Sequence, residues 1–249
     1  MIPKIIHYCW FGRGEMPSLA LKCIESWKKH MPDYEIKRWD EETFDIQSNT
    51  YVKEAYENRK FAFVTDYVRL YALYIEGGIY MDTDVEVLKS LTPFLHLHAF
   101  SGFESSGYVP TGMMASEKGG TWVKELLRYY DNRHFVNEDN TFDLTTNTTL
   151  ITNYMLERGL IMNNSYQDFE NLTTMYPSEY FCPISQNTGK LSLTENSYCI
   201  HHFAGSWMPK HVRVASKIKK CFSRILGPET INKIIKKIGL REWKEKQMK

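Results

Sequence analysis

Apolar residues at Val64, Val68, Tyr71, Ala72 and Ile75 recur at the spacing of a single helix face, which predicts an amphipathic helix through this stretch. Gly77-Gly78 ends it, because glycine adopts the left-handed backbone that closes a helix without steric cost. The pattern then changes. Ile79, Tyr80 and Met81 read as a short apolar strand, and Asp82 and Asp84 follow with only Thr83 between them. Alternate residues of an extended chain point the same way, so both carboxylates leave the strand end on one side. Asp66 and Arg69, three apart, share one face of the preceding helix.

The flanking pattern supplies a frame for this unit. Residues 5–8 read as a strand, and 18–31 as a helix carrying Leu19, Ile24, Trp27 and Met31, bracketed by Pro17 and Pro32. Residues 34–39 alternate as a second strand. Strand, helix, strand is the opening of a Rossmann-like nucleotide-binding half. A short helix is predicted over 51–60, strands over 99–103 and 111–115, and helices over 122–130 and 149–157. At the C-terminal end two stripes alternate with lysines, one of Val214, Ile218, Cys221, Phe222 and Ile225, the other of Ile231, Ile234, Ile235 and Ile238. Gly227-Pro228 separates them.

Composition narrows the class. With 249 residues, 43% hydrophobic and 14% aromatic, the chain can bury a large core, and no run approaches the roughly 20 apolar residues of a membrane span. The expected organisation is one catalytic domain over residues 1–209 and a basic helical tail over 210–249. No charged and then apolar leader precedes the first strand, so secretion is not expected. Five cysteines, odd in number and without C-x-x-C spacing, suit reduced thiols in the cytoplasm rather than a zinc site. The net charge of +1 is uneven: residues 210–249 hold 13 Lys and Arg against 3 Asp and Glu, a balance of +10, which leaves −9 on the rest.

Two carboxylates held this close repel unless a cation lies between them. Oxygen donors with open positions for substrate phosphates suit Mg²⁺ or Mn²⁺. Asp-x-Asp alone is common on solvated turns; the apolar strand, the double glycine and the Asp/Arg helix face before it single this one out.

The run DYVRLYALYIEGGIYMDTD, residues 66–84, resembles the donor-sugar-binding region of glycosyltransferase family 32. IPKIIHYCWFG (residues 2–12) is similar to that family's first strand, and HHFAGSW (residues 201–207) to its closing motif. The resemblance implies an α/β fold of the GT-A type, Rossmann-like with a mixed central sheet. It implies a metal-dependent transfer that retains anomeric configuration, from a nucleotide-diphosphate sugar, UDP favoured over GDP. Asp84 would be a direct ligand of Mn²⁺ or Mg²⁺, Asp82 would face ribose and sugar, and His202 would complete the metal set with His201 turned against the sheet. Asp66 and Arg69 would meet the sugar hydroxyls, with Arg69 near the diphosphate. Tyr8, Trp10 and Tyr80 complete the expected donor site, Trp10 stacking on the base, while Ser206 and Trp207 would fold over the diphosphate. The family's Gly-Pro pair near a later helix start is replaced here by Thr145-Thr146-Asn147-Thr148-Thr149.

Plainer readings stand beside these. Asp66 and Arg69 could form only a helix salt bridge worth a few tenths of a kcal/mol, Trp10 a core aromatic, and Trp207 a plug beside Pro209. Competing functions are a metal-dependent nucleotidyltransferase or phosphohydrolase, a sugar-binding module without activity, and a transferase with a protein acceptor. The expected acceptor is a surface polysaccharide or lipid-linked glycan. Its expected place is the cytoplasm, peripheral on the inner face of the plasma membrane, where the basic apolar-striped tail would meet anionic lipid. No aromatic-interleaved basic motif points to nucleic acid.

Overall fold

The structure is a computed structural model that describes residues 1–104, 107–109, 112–205, 208 and 210–237. In chain order the elements are β1 (Ile5–Cys9), α1 (Ser18–His30), β2 (Glu35–Trp39), α2 (Thr50–Glu57), α3 (Phe61–Glu76), β3 (Gly78–Met81), β4 (Val85–Val87), β5 (Ala99–Gly102) and β6 (Met113–Ser116). There follow α4 (Thr121–Arg128), α5 (Asn147–Leu156), β7 (Gln167–Phe169), β8 (Thr173–Tyr176), α6 (Ser178–Phe181), β9 (Cys199–His201), α7 (Lys210–Leu226) and α8 (Pro228–Lys237).

Seven strands form one sheet in the order β2-β1-β3-β6-β5-β8-β7, and β4 pairs with β9 in a separate ribbon. β1 lies between β2 and β3 and is parallel to both, whereas β6 runs antiparallel to β3 and β5. The sheet is therefore mixed, and the fold is of the α/β class with the mixed central sheet expected from the sequence. Its parallel half places the C-terminal ends of β1 and β3 side by side, where ligands bind in folds of this kind.

The pleat of β3 sets which way the acidic pair faces. Ile79 and Met81 join one core cluster with Trp27 of α1 and Phe181 of α6, while Tyr80 joins the other with Val68 of α3, Trp122 of α4 and Tyr154 of α5. Both faces of β3 are covered, which is why the strand reads as an unbroken apolar run. Tyr80 and Asp82, two apart, share the α3 side.

α3 begins at Phe61, a turn earlier than its apolar stripe suggests. The segment predicted as a helix over 51–60 ends at Glu57, its start capped by the Asn49 side chain, which accepts from Val52 N–H at 3.2 Å. The two glycines after α3 are required twice over. Gly77 and Gly78 have φ of 71° and 115°, and a Cβ would lie 2.6 Å from the Lys118 amide nitrogen at one and from the Ile5 carbonyl at the other. The predicted strand over 111–115 begins at Met113; Thr111 lies outside the described residues.

α7 packs on the body through buried Val212 and Ser223, and Arg224 donates to the carbonyls of Thr188 (2.6 Å) and Gly189 (2.9 Å). Val214, Ile218, Phe222 and Ile225 face outward, 51–73% exposed. Among the described residues no helix is long and apolar enough to cross a membrane. Cys9, Cys23, Cys182 and Cys199 are buried free thiols and Cys221 is exposed.

Candidate active site

The site gathers where β3 ends against α3 and the β4–β9 ribbon. Arg69 projects from α3 beneath the strand end and is buried. Its Nη2 lies 3.3 Å from Asp66 Oδ1 and 3.3 Å from Asp82 Oδ1. The guanidinium sits 4.6 Å from the Tyr80 ring centroid, and the Tyr80 hydroxyl donates to Asp82 Oδ1 at 2.8 Å. One oxygen of Asp82 is thus held from two sides. Tyr80, expected at the donor, is 1% exposed: the alternation of β3 puts its ring in the core and its hydroxyl on Asp82.

Asp66 is buried at the start of α5. Its Oδ2 accepts from Asn147 N–H at 3.1 Å, and Asn147 Nδ2 donates to the Asp66 carbonyl at 3.0 Å. Burial pushes the Asp66 carboxyl up to about 6, against the opposing pull of Arg69 and the Asn147 amide. Asn147 lies in the segment that replaces the family's Gly-Pro pair, but nothing in the sequence links it to Asp66; only the docking of α5 brings it to α3.

Asp84 faces the closing ribbon. β9 pairs antiparallel with β4, Val85 opposite His201, and His202 N–H donates to the Asp84 carbonyl at 3.0 Å. Phe203 then turns the chain with φ of 51°, and Ala204 N–H donates to Asp84 Oδ2 at 2.7 Å. His201 Nε2 lies 3.4 Å from Asp84 Oδ1. Burial by itself would raise the Asp84 carboxyl, but the adjacent His201 imidazolium and the amide donors hold it down at about 2. Burial likewise opposes charge on His201, and the Asp84 carboxylate reverses this, keeping the imidazole protonated well above its ordinary range.

The expected assignment of the two histidines is the reverse of what is found. His201 meets Asp84, whereas His202 turns away and places Nε2 2.8 Å from Glu86 Oε2. Neighbours on a strand point to opposite faces, and the register with β4 decides which of them meets the acidic pair. Among the described residues Asp82, Asp84 and His201 each offer a ligand atom within 4.8 Å of the others. Two carboxylates and one imidazole are a donor set that fits Mn²⁺ or Mg²⁺ with positions left for phosphate oxygens.

At the neighbouring end of β1, Trp10 is partly buried and its Nε1 donates to the Gly14 carbonyl at 2.6 Å, which fixes the indole at the strand mouth. Tyr8 packs edge-on against Trp27 on the α1 side, 5.7 Å between centroids. That is the face of the sheet opposite Tyr80 and Asp82, so Tyr8 is not brought to the acidic cluster. His7 lies in the core. Its Nδ1 accepts from Trp39 Nε1 at 3.0 Å and its Nε2 lies 2.8 Å from the Gly77 carbonyl, tying β2 to the glycine turn. Ser206 and Trp207, expected over the diphosphate, lie outside the described residues.

Residues 17–101 match the family described as a glycosyltransferase sugar-binding region containing a DXD motif, a span that includes Asp66, Arg69, Asp82 and Asp84. Inositol phosphoceramide mannosyltransferase 3 of Schizosaccharomyces pombe is 32% identical over 142 residues, covering 54% of this chain and 40% of that protein. An uncharacterised glycosyltransferase of Acanthamoeba polyphaga mimivirus is 26% identical over 217 residues, 84% of this chain and 85% of that one. The chain thus spans less than half the length of the first relative and most of the second. Among solved structures, the PaToxG glycosyltransferase is similar with a TM-score of 0.47 and 19% identity, over 64% of this chain and 69% of that one. A glycosyltransferase involved in glycosylation of the major capsid of PBCV-1 gives 0.49 and 12%, over 87% of this chain and 98% of that one.

Proposed function

We propose that this family 32-like glycosyltransferase moves a sugar, with retention, from a nucleotide-diphosphate donor to a glycan or lipid-linked acceptor. The observation that carries the reading is the position of Arg69, which joins Asp66 on the helix to Asp82 at the strand end, beside the cluster of Asp82, Asp84 and His201. Arg69 fixes two carboxylates toward one point. Such carboxylates can accept hydrogen bonds from sugar hydroxyls, and fixed positions spare the reaction that ordering cost.

Asp82, Asp84 and His201 would hold the divalent ion, which when bound supplies positive charge opposite the departing diphosphate. Asp82 gives Oδ1 to Tyr80 and Arg69, and its Oδ2 would serve the ion. Asp84 is braced by the Ala204 amide. Trp10, held at the mouth of β1 by the Gly14 carbonyl, would stack on the base, with UDP proposed over GDP. A diphosphate is a good leaving group without a general acid, so an acceptor hydroxyl can attack the face it leaves, its proton passing to the departing phosphate oxygen. A retaining hydrolase would instead need two carboxylates about 5 Å apart, one as nucleophile.

The name of the fission-yeast relative, a mannosyltransferase of inositol phosphoceramide, supports an acceptor carried on lipid. The outward apolar row of α7, set among the lysines and arginines of the tail, supports a peripheral position on the anionic inner face of the membrane. Residues 1–209 would then be the catalytic unit and 210–249 its attachment.

Incubation with a panel of nucleotide sugars and Mn²⁺, with and without EDTA, tests the reading. Release of nucleoside diphosphate that stops with EDTA is expected. Release of a nucleoside monophosphate would indicate phosphohydrolase chemistry, and donor binding without release a sugar-binding module.

A further inference from the structure

We propose that Glu104 is the positioning residue of His201, accepting a hydrogen bond from Nδ1–H so that Nε2 stays aimed at Asp82 and Asp84. The inference rests on the metal reading above for its purpose, but on separate observations for its geometry.

His201 Nδ1 is buried and, among the described residues, has no nitrogen or oxygen partner at hydrogen-bond distance. A buried ring nitrogen left unpaired forfeits the hydrogen bond it had in water, so this one calls for a partner. The carboxylate of Glu104 faces it, Oε1 4.0 Å from Nδ1, and Glu104 is itself buried. A movement of about 1 Å closes that gap to hydrogen-bond length.

The surroundings leave the imidazole little other freedom. On one side Gly112 lies so close that a Cβ there would fall 2.9 Å from the ring, and on another the Phe203 ring sits 4.2 Å away between centroids. The ring is clamped in its plane, with one nitrogen toward Asp84 and the other toward Glu104.

Glu104 is held in turn by its backbone just beyond β5. Its N–H donates to the Tyr108 carbonyl at 2.7 Å, its carbonyl accepts from Gly107 N–H at 3.0 Å, and Phe103 N–H donates to the Tyr176 carbonyl at 2.9 Å. The Cys182 thiol also lies against the imidazole and favours its charged form. A thiol is the weaker acceptor, and a carboxylate is the usual outer partner of a metal-binding histidine, fixing its tautomer and orientation. Glu104 lies outside every motif that the sequence presents.

Mn²⁺ binding to the full chain, followed by the electron paramagnetic resonance signal of free Mn²⁺ without any nucleotide sugar, tests this together with the ¹⁵N shifts of the His201 imidazole. Glu104→Gln should weaken Mn²⁺ binding by about 10- to 100-fold and alter the Nδ1 signal. Cys182→Ala, which removes only the weaker neighbour of the imidazole, should leave Mn²⁺ affinity within a few-fold of wild type. The loss in Glu104→Gln should nearly vanish when His201→Gln is already present, because the two act through one nitrogen. Glu104→Ala, checked for native circular dichroism, covers failure of the first variant to fold. Wild-type affinity and an unchanged imidazole signal in a folded Glu104 variant would overturn the proposal. If the wild-type protein bound no Mn²⁺, the metal reading would fail and the imidazole signal alone would decide the role of Glu104.

Discussion

Arg69 and Asp82 meet at 3.3 Å, Nη2 to Oδ1, across the turn from α3 to the end of β3. The contact links two features of one sequence run that are thirteen residues apart. The same nitrogen reaches Asp66, so the guanidinium neutralises one buried carboxylate while steering another.

Arg69→Ala leaves two carboxylates facing each other without their cation. Removing one partner of a buried pair costs about 3–5 kcal/mol, so the melting temperature should fall, and the donor KM should rise as kcat falls. Adding Asp66→Asn should recover much of the stability but not the activity. Recovery of both by the double variant would mean that Arg69 serves the fold alone.

Asp66→Asn separates stability from function by pH. The folded carboxyl, pushed up to about 6, lies above its unfolded value, so the native state holds its proton more tightly. Above pH 6 the ionised form costs stability, and the cost fades as pH falls toward 4. The variant should therefore melt higher than wild type at pH 7.5, by roughly 3 kcal/mol in stability, with the difference shrinking in acid, and should transfer sugar poorly at every pH. A stability difference that grew in acid would contradict the burial of this charge.

Asp84→Asn removes a ligand charge at a strand end while the amide oxygen still accepts from Ala204. Donor turnover should fall about 100-fold or more, Mn²⁺ should bind more weakly, and the circular dichroism spectrum should not change. Undiminished turnover in the variant, or wild-type turnover indifferent to EDTA, would remove the metal from the mechanism.

Ile218→Ser with Phe222→Ser tests the tail without disturbing Val212, Ser223 or Arg224, through which α7 is attached. Each exposed side chain would gain about 1.5–3 kcal/mol on full burial, so co-sedimentation with anionic vesicles should drop by an order of magnitude or more. High salt should weaken the wild-type binding too. Nucleoside diphosphate release in solution should not change. Equal pelleting of both proteins would assign the apolar row to another partner.

Local sequence accounted for much of the framework, because its rules are local ones. The stripe of Val64, Val68, Ala72 and Ile75 is a helix period, Gly77-Gly78 is a stop that no side chain could occupy, and the placing of Asp82 and Asp84 at a strand end follows from period alone. Asp66 and Arg69 met because three residues along a helix is nearly one turn. The tail helices were legible in the same way over the described residues, Ile238 lying outside them, as were the first strand and the strand after α1. Less was legible where elements are short: β4, β7 and β8 have three or four residues each, too few to show a period.

Only tertiary structure decided the rest. That the Tyr80 ring is buried and its hydroxyl holds Asp82 depends on which face of the sheet α3 covers. That His201 meets Asp84 while His202 meets Glu86 depends on the register of β9 against β4, and a shift by one residue would exchange them. Asn147 and Glu104 reach the site from segments 81 and 22 residues from Asp66 and Asp82, brought there by the docking of α5 and by the turn after β5. A sequence fixes which groups lie one turn or one pleat apart; contacts between distant segments are chosen by how whole faces pack, and no local period records that choice.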